Sequence, residues 1–207
     1  MKACVNSLTI FGPAEDLEDM QNTIQEGSEV ISLEKIAPTP QGIIDATNND
    51  VISPKIIEQF GAINVNAWRL KNWSCLKNAY GSKMIEERSN LSLPRPIEDW
   101  DIVNMPDEMK ERILNINSAM HLSFNTDESC NDAMETLSKK YPNVLIHYGF
   151  DSEAEDTCGW FAITNGETIT HEHYSSCLKS IRIHVEPSTS DVKVSLLEAL
   201  DGQDNSN

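Results

Sequence analysis

Ala3-Cys4-Val5-Asn6-Ser7-Leu8-Thr9-Ile10-Phe11-Gly12-Pro13 opens the chain as a strand handed directly to a helix. Successive strand side chains alternate, so Cys4, Asn6, Leu8 and Ile10 fall on one side and Ala3, Val5, Ser7 and Thr9 on the other. Pro13 suits a first helical turn, Glu15 and Asp16 favour the positive end of a helix dipole, and Leu17, Met20 and Ile24 recur at helical spacing. The pattern predicts an amphipathic helix to about Gln25. Gly27 and Ser28 then release the chain into residues 29–36, read as a second strand that begins at Val30 and Ile31 and stops before Pro38 and Pro40. The first third is thus read as β-α-β.

A second unit of the same shape starts near Ala119. Met120, Leu122 and Phe124 alternate with Ala119, His121 and Ser123, which predicts a half-buried strand. Ser129 and Asp132 have capping-box spacing, Cys130, Met134, Leu137 and Tyr141 mark one helical face, and Pro142 ends the helix. Residues 144–150 alternate again, and residues 160–164 join 167–171 through Asn165-Gly166, a strong hairpin signal.

Two β-α-β units predict an α+β fold: a ferredoxin-like antiparallel sheet with helices on one face and a C-terminal hairpin extension. Residues 1–185 are read as one domain. Residues 3–37 form the first unit, 38–118 a helical insertion, and 119–174 the second unit with its hairpin. Helices are expected in the insertion near 54–60, 65–87 and 106–115, and residues 186–207 are read as a polar, mobile tail.

At 207 residues and 39% hydrophobic composition the chain is long enough to bury an ordinary core. No apolar run approaches a membrane span, and no leader pattern precedes the first strand. The five cysteines are odd in number, scattered and free of any C-x-x-C pair, which argues for reduced thiols and a cytoplasmic setting. Asp plus Glu number 33 against 16 Lys plus Arg, a net charge of −17 that repels phosphate backbones and favours basic partners. Solubility alone is the simpler account of such a balance.

Two charged constellations are candidates for binding. The acids Glu15, Asp16, Glu18 and Asp19, with Asp151, Glu153, Glu155 and Asp156, compose a candidate acidic face for a basic macromolecule. Arg69, Lys71, Trp73, Lys77 and Lys83 compose the alternative, a basic and aromatic segment for single-stranded nucleic acid, with Arg69 four residues before Trp73 and able to stack on its indole. The simpler reading of that segment is a helix anchored to its own sheet by tryptophan while the cationic heads reach solvent.

Chemistry finds less support. His171-Glu172-His173 places two imidazoles on one side of a strand, but two histidines without a second cluster are poor evidence for zinc, and no metal or other cofactor is expected. The run from Asp151 to Asp156 lacks a calcium-loop pattern and a buried carboxyl for glycosidase chemistry. Cys158 has Glu155 and Asp156 beside it, which disfavours a thiolate nucleophile. No phosphate loop, dinucleotide fingerprint or Gly-x-Ser-x-Gly elbow occurs, so no catalytic residue is assigned and the protein is read as not an enzyme.

Several stretches resemble landmarks of the YubB ferredoxin-like family of phage and plasmid proteins. These are Cys4 to Pro13, Leu33-Glu34-Lys35-Ile36-Ala37-Pro38-Thr39-Pro40, Trp68-Arg69-Leu70-Lys71-Asn72-Trp73, Leu122-Ser123-Phe124-Asn125-Thr126, the helix end from Leu137 to Pro142, and Gly159-Trp160-Phe161 with Asn165-Gly166. They occur in matching order over roughly residues 3 to 171. The chain departs from the family pattern at Cys4-Val5-Asn6 and at Ser74-Cys75. The resemblance implies a fold and a mobile-element setting, and it transfers no reaction. With the charge, it makes the expected role that of a non-catalytic accessory protein that binds a host or rival complex with a basic surface. In its sharpest form this is a DNA-mimic type of inhibitor of a host defence nuclease complex such as CRISPR.

Overall fold

Alternation along the first strand decides the core. A computed structural model describes residues 3–49, 53–84, 95–96, 116, 118–153 and 156–175. Strand β1, Cys4–Gly12, buries Cys4, Asn6, Leu8 and Ile10 against helices and turns Val5, Ser7 and Thr9 to the opposite face. It pairs antiparallel on both sides, with β4 (Ser118–Thr126) and with β5 (Leu145–Ser152). Beyond β4 lies the short β2 (Tyr80–Met84), and β3 (Arg95–Pro96) pairs with the other end of β4. Beyond β5 come β6 (Thr157–Thr164) and β7 (Glu167–Ser175), giving an antiparallel sheet in the order β2-β4-β1-β5-β6-β7.

The pairing makes two crossovers of one kind. β1 and β2 are each antiparallel to β4, so they run parallel with β4 between them. β4 and β5 run parallel with β1 between them for the same reason. Helix α1, Ala14–Ile24, follows β1 directly from an N-cap at Pro13 and buries Leu17, Met20 and Ile24, the three residues that the sequence places at helical spacing. The last helix, Asn131–Lys140, crosses from β4 to β5 and buries Ala133, Met134 and Leu137. The Asn165-Gly166 turn has positive φ at both residues, as a two-residue hairpin requires, and Gly166 N–H donates to Ser138 Oγ at 3.2 Å on that helix.

Four expectations are corrected. Residues 29–36 do not form a strand. Glu26 and Glu29 make an isolated bridge, and α2, Leu33–Ile36, follows because Asn78 Oδ1 accepts the Leu33 N–H at 2.6 Å and Glu34 and Lys35 favour a helical turn. The role of second strand passes to Tyr80–Met84, inside the stretch read as one helix over 65–87. That helix stops at Trp73, where Ser74 takes a left-handed φ of 65° and turns the chain. Ser129 does not cap the last helix. Its N-cap is Cys130, and the Asp132 N–H donates instead to Ser74 Oγ at 3.2 Å. The sheet is also larger than four strands, because both strands of the hairpin join it.

The insertion supplies α3 (Gln41–Asn48), α4 (Pro54–Phe60) and α5 (Val65–Trp73). With α3 to α5 named, Asn131–Lys140 is α6. The expected helix at 106–115 and the tail 186–207 lie outside the described residues. Those described fall in one compact unit, Met1–Ser176. No helix among them is long and apolar enough to cross a membrane.

Candidate functional site

The basic and aromatic segment is spent inside the fold. Arg69 Nη2 meets Glu34 Oε1 at 2.7 Å, Nη1 donates to Leu76 O at 3.2 Å, and the guanidinium carbon lies 4.6 Å from the centre of the Trp73 ring. Trp73 is 0% exposed, packs edge-on against Trp68 and donates Nε1–H to Ala37 O at 2.8 Å. The stacking of Arg69 on Trp73 is therefore present, but it ties α5 to α2 and leaves no indole face for a base. Lys71, Lys77 and Lys83 are exposed, the first on α5, the second after it and the third on β2.

The acidic groups divide into two. Glu15, Asp16, Glu18 and Asp19 lie on α1, beside the chain that leaves α6. Asp16 Oδ2 accepts from Asn143 Nδ2 at 3.2 Å, and Asp19 Oδ2 accepts from Tyr141 O–H at 2.8 Å. Burial first, and then the Asp19 hydrogen bond and the Asp19 and Asp16 charges, raise the pKa of that phenol against an opposing hydrogen bond with Thr23, so it stays a donor. Asp151, Glu153 and Asp156 lie at the β5–β6 connection, whereas Glu155 is outside the described residues. Register sets the two groups at opposite ends of the central strands. Phe11 pairs with Leu145 at the end from which α1 departs, and Cys4 pairs with Ser152 at the other, about 23 Å along the strand. The seven described acids do not form one face.

Register also assembles a feature that neither constellation anticipates. On the face opposite the helices, Thr9 pairs with His121 of β4 on one side and with His147 of β5 on the other. The next row holds Ser123, Ser7, Gly149 and Trp160, and the row after it Asn125, Val5, Asp151 and Cys158. His147 lies 5.4 Å from the Trp160 ring at 43°, and Trp160 Nε1–H donates to Glu172 Oε2 at 3.1 Å. Burial first, and then the His121 charge, hold the His147 imidazole below its ordinary pKa, so it is neutral around neutrality. At Gly149 a Cβ would come within 2.9 Å of Ser7 Oγ, so only glycine leaves the Ser7 hydroxyl its place. In the sequence Ser7, Thr9, His121, Ser123, His147 and Gly149 are each non-apolar alternate positions within one strand, and only strand pairing sets them in rows.

His171 and His173 both lie on β7 on the helix side, His171 stacked 5.7 Å from Phe161 and His173 tilted at 43°, 5.7 Å from Phe150. Among the described residues no group of three or more His, Cys, Asp or Glu is placed to hold a metal. Cys4, Cys75 and Cys130 are buried and in no disulfide. Desolvation pushes the Cys130 thiol up to about 12 and the Cys75 thiol higher still, so neither is a nucleophile. Cys158 is exposed on β6.

The chain matches no protein-family model, no curated protein and no solved structure.

Proposed function

We propose that this protein is a non-catalytic binding module that docks a basic macromolecular surface on helix α1. The observation that carries the reading is uncompensated charge. Glu15 and Glu18 are exposed on α1, Asp16 and Asp19 are held by the neutral donors Asn143 and Tyr141, and the Arg69–Glu34 ion pair lies elsewhere. Carboxylates fixed in position and facing no cation attract a basic partner and speed its approach. The second acidic group, at the far end of the strands, is not part of this surface.

The finer fold reading belongs to the same proposal. Setting aside β3 and the hairpin strands, the order β2-β4-β1-β5 with two crossovers that each skip one strand supports a ferredoxin-like core. The YubB resemblance and the mobile-element setting supply the role: a phage or plasmid accessory protein acting in the cytoplasm on a host or rival complex, of DNA-mimic type against a defence nuclease. Cys4, Cys75, Cys130 and Cys158 form no disulfide, which supports a reducing compartment.

The test is capture from host lysate with three baits: the native chain, Glu15→Lys/Glu18→Lys, and Asp151→Lys/Glu153→Lys, each with and without nuclease treatment. Circular dichroism checks that all three are folded. The expected result is one nuclease-resistant partner retained by the first and third baits and lost from the second. Equal retention by all three, or recovery that vanishes with nuclease, overturns the proposal.

A further inference from the structure

We propose that the end of α4 and the exposed face of α5 form a docking surface for an acidic peptide that carries apolar side chains. The surface is separate from α1 and takes a partner of the opposite charge. Its first support is open apolar area. Ile57, Ile63 and Leu70 are 41%, 44% and 44% exposed. Helix α4 packs Ile56 and Phe60 against the core, with Phe60 over Gly42 of α3, yet it buries none of its seven residues fully. A helix half-buried on one side and apolar on the other is incompletely covered by its own chain. Contacts bring the three open side chains to one place. Gly61 closes α4 by donating its N–H to Ile57 O at 2.8 Å, and its left-handed φ of 66° turns the chain toward Ile63. A Cβ at Gly61 would fall 2.5 Å from Lys71 Nζ, so the ammonium next to Leu70 lies on the turn between Ile57 and Ile63.

Charge selects the occupant. Residues 53–79 carry Lys55, Arg69, Lys71 and Lys77 against Glu58 alone, in a chain of net charge −17. Arg69 is taken by Glu34, whereas Lys55 and Lys71 are exposed and meet no carboxylate among the described residues. Asp45, the acid on the neighbouring α3, accepts from Gln41 instead. Open cations beside apolar side chains favour a partner with carboxylates around an apolar anchor. The open side chains are aliphatic, while Trp68 and Trp73 are buried, so the surface suits leucine-like side chains and offers no ring on which a base could stack.

The probe is a fluorescein-labelled helical peptide with leucine along one face and glutamate along the other, titrated with the full chain at low salt and read by anisotropy. It is expected to bind the native chain, and at least about tenfold more weakly both Ile57→Ser/Leu70→Ser and Lys55→Glu/Lys71→Glu. All four positions are exposed, and circular dichroism checks that the variants are folded. Glu15→Lys/Glu18→Lys, which removes the α1 surface, should not weaken the peptide. No binding, equal binding by the native chain and both variants, or equal binding of a peptide with serine in place of leucine overturns the surface. So does single-stranded DNA that binds there with the same lysine dependence, which would make it a nucleic-acid site.

Discussion

Tyr148 shows what one buried hydroxyl holds together. It donates to Asn6 Oδ1 at 2.7 Å and accepts the Cys130 N–H at 2.8 Å, while Asn6 Nδ2 donates to Thr126 Oγ1 at 2.8 Å and to Cys4 O at 3.1 Å. Every polar atom named here comes from an apolar-looking stretch, and a buried network of this kind is costly to leave half satisfied. Removing the hydroxyl in Tyr148→Phe strands the N–H of Cys130, the N-cap of α6, and leaves the Asn6 oxygen only the weak Cys4 thiol as donor. A loss of about 1–3 kcal/mol in urea-unfolding stability is expected. The same packing seals the thiols. Brief alkylation of the native protein, read by peptide mass spectrometry, should modify Cys158 and spare Cys4, Cys75 and Cys130 until denaturant is added.

Strand β2 depends on a residue that the sequence assigns to another strand. Glu29 accepts from Ser82 N–H at 2.7 Å, from Gly81 N–H at 3.2 Å and from the Ser82 hydroxyl, across a bulge where Gly81 has φ +60°. The Ser82 hydroxyl, then its N–H, hold the Glu29 carboxyl below its ordinary value of 4.5. A carboxyl depressed in the folded state adds stability above its unfolded pKa, and that contribution is lost as pH falls through the folded value. In Glu29→Gln the amides of Gly81 and Ser82 should therefore exchange roughly tenfold faster near neutral pH, with little change in global unfolding. In the native chain the protection should fade only below the ordinary carboxylate range. Unchanged exchange in the variant would show that β2 does not need Glu29. The same segment explains what was legible. β1, β4, β5 and the hairpin announce themselves by alternation that is local to each strand. Residues 80–84 share a helical period with Trp73 and Leu76, and only their distant partners Ser123 and Asn125 make them a strand. The histidine row was hidden for the same reason: each imidazole is an unremarkable alternate position until pairing brings two strands to Thr9.

At the scale of the molecule, charge and packing oppose each other. The net charge is −17, and the Arg69–Glu34 ion pair has partners only 26% and 29% exposed. Stability therefore rests on the apolar core between the sheet and its helices, and the carboxylates mostly repel one another. Salt distinguishes this from a fold held by ion pairs. Raising sodium chloride from about 0.05 M to about 0.5 M shortens the screening length well below the spacing of the α1 and β5–β6 acids, so repulsion weakens while the core is untouched. The melting temperature should rise with salt. It should rise less in Glu15→Lys/Glu18→Lys, where two reversals change the net charge from −17 to −13, each removing one negative charge and adding one positive. Differential scanning fluorimetry at fixed pH reads both. A melting temperature that falls with salt would mean that ion pairs, not burial, dominate the fold. The α1 carboxylates would then be structural partners rather than the open surface that a basic partner requires.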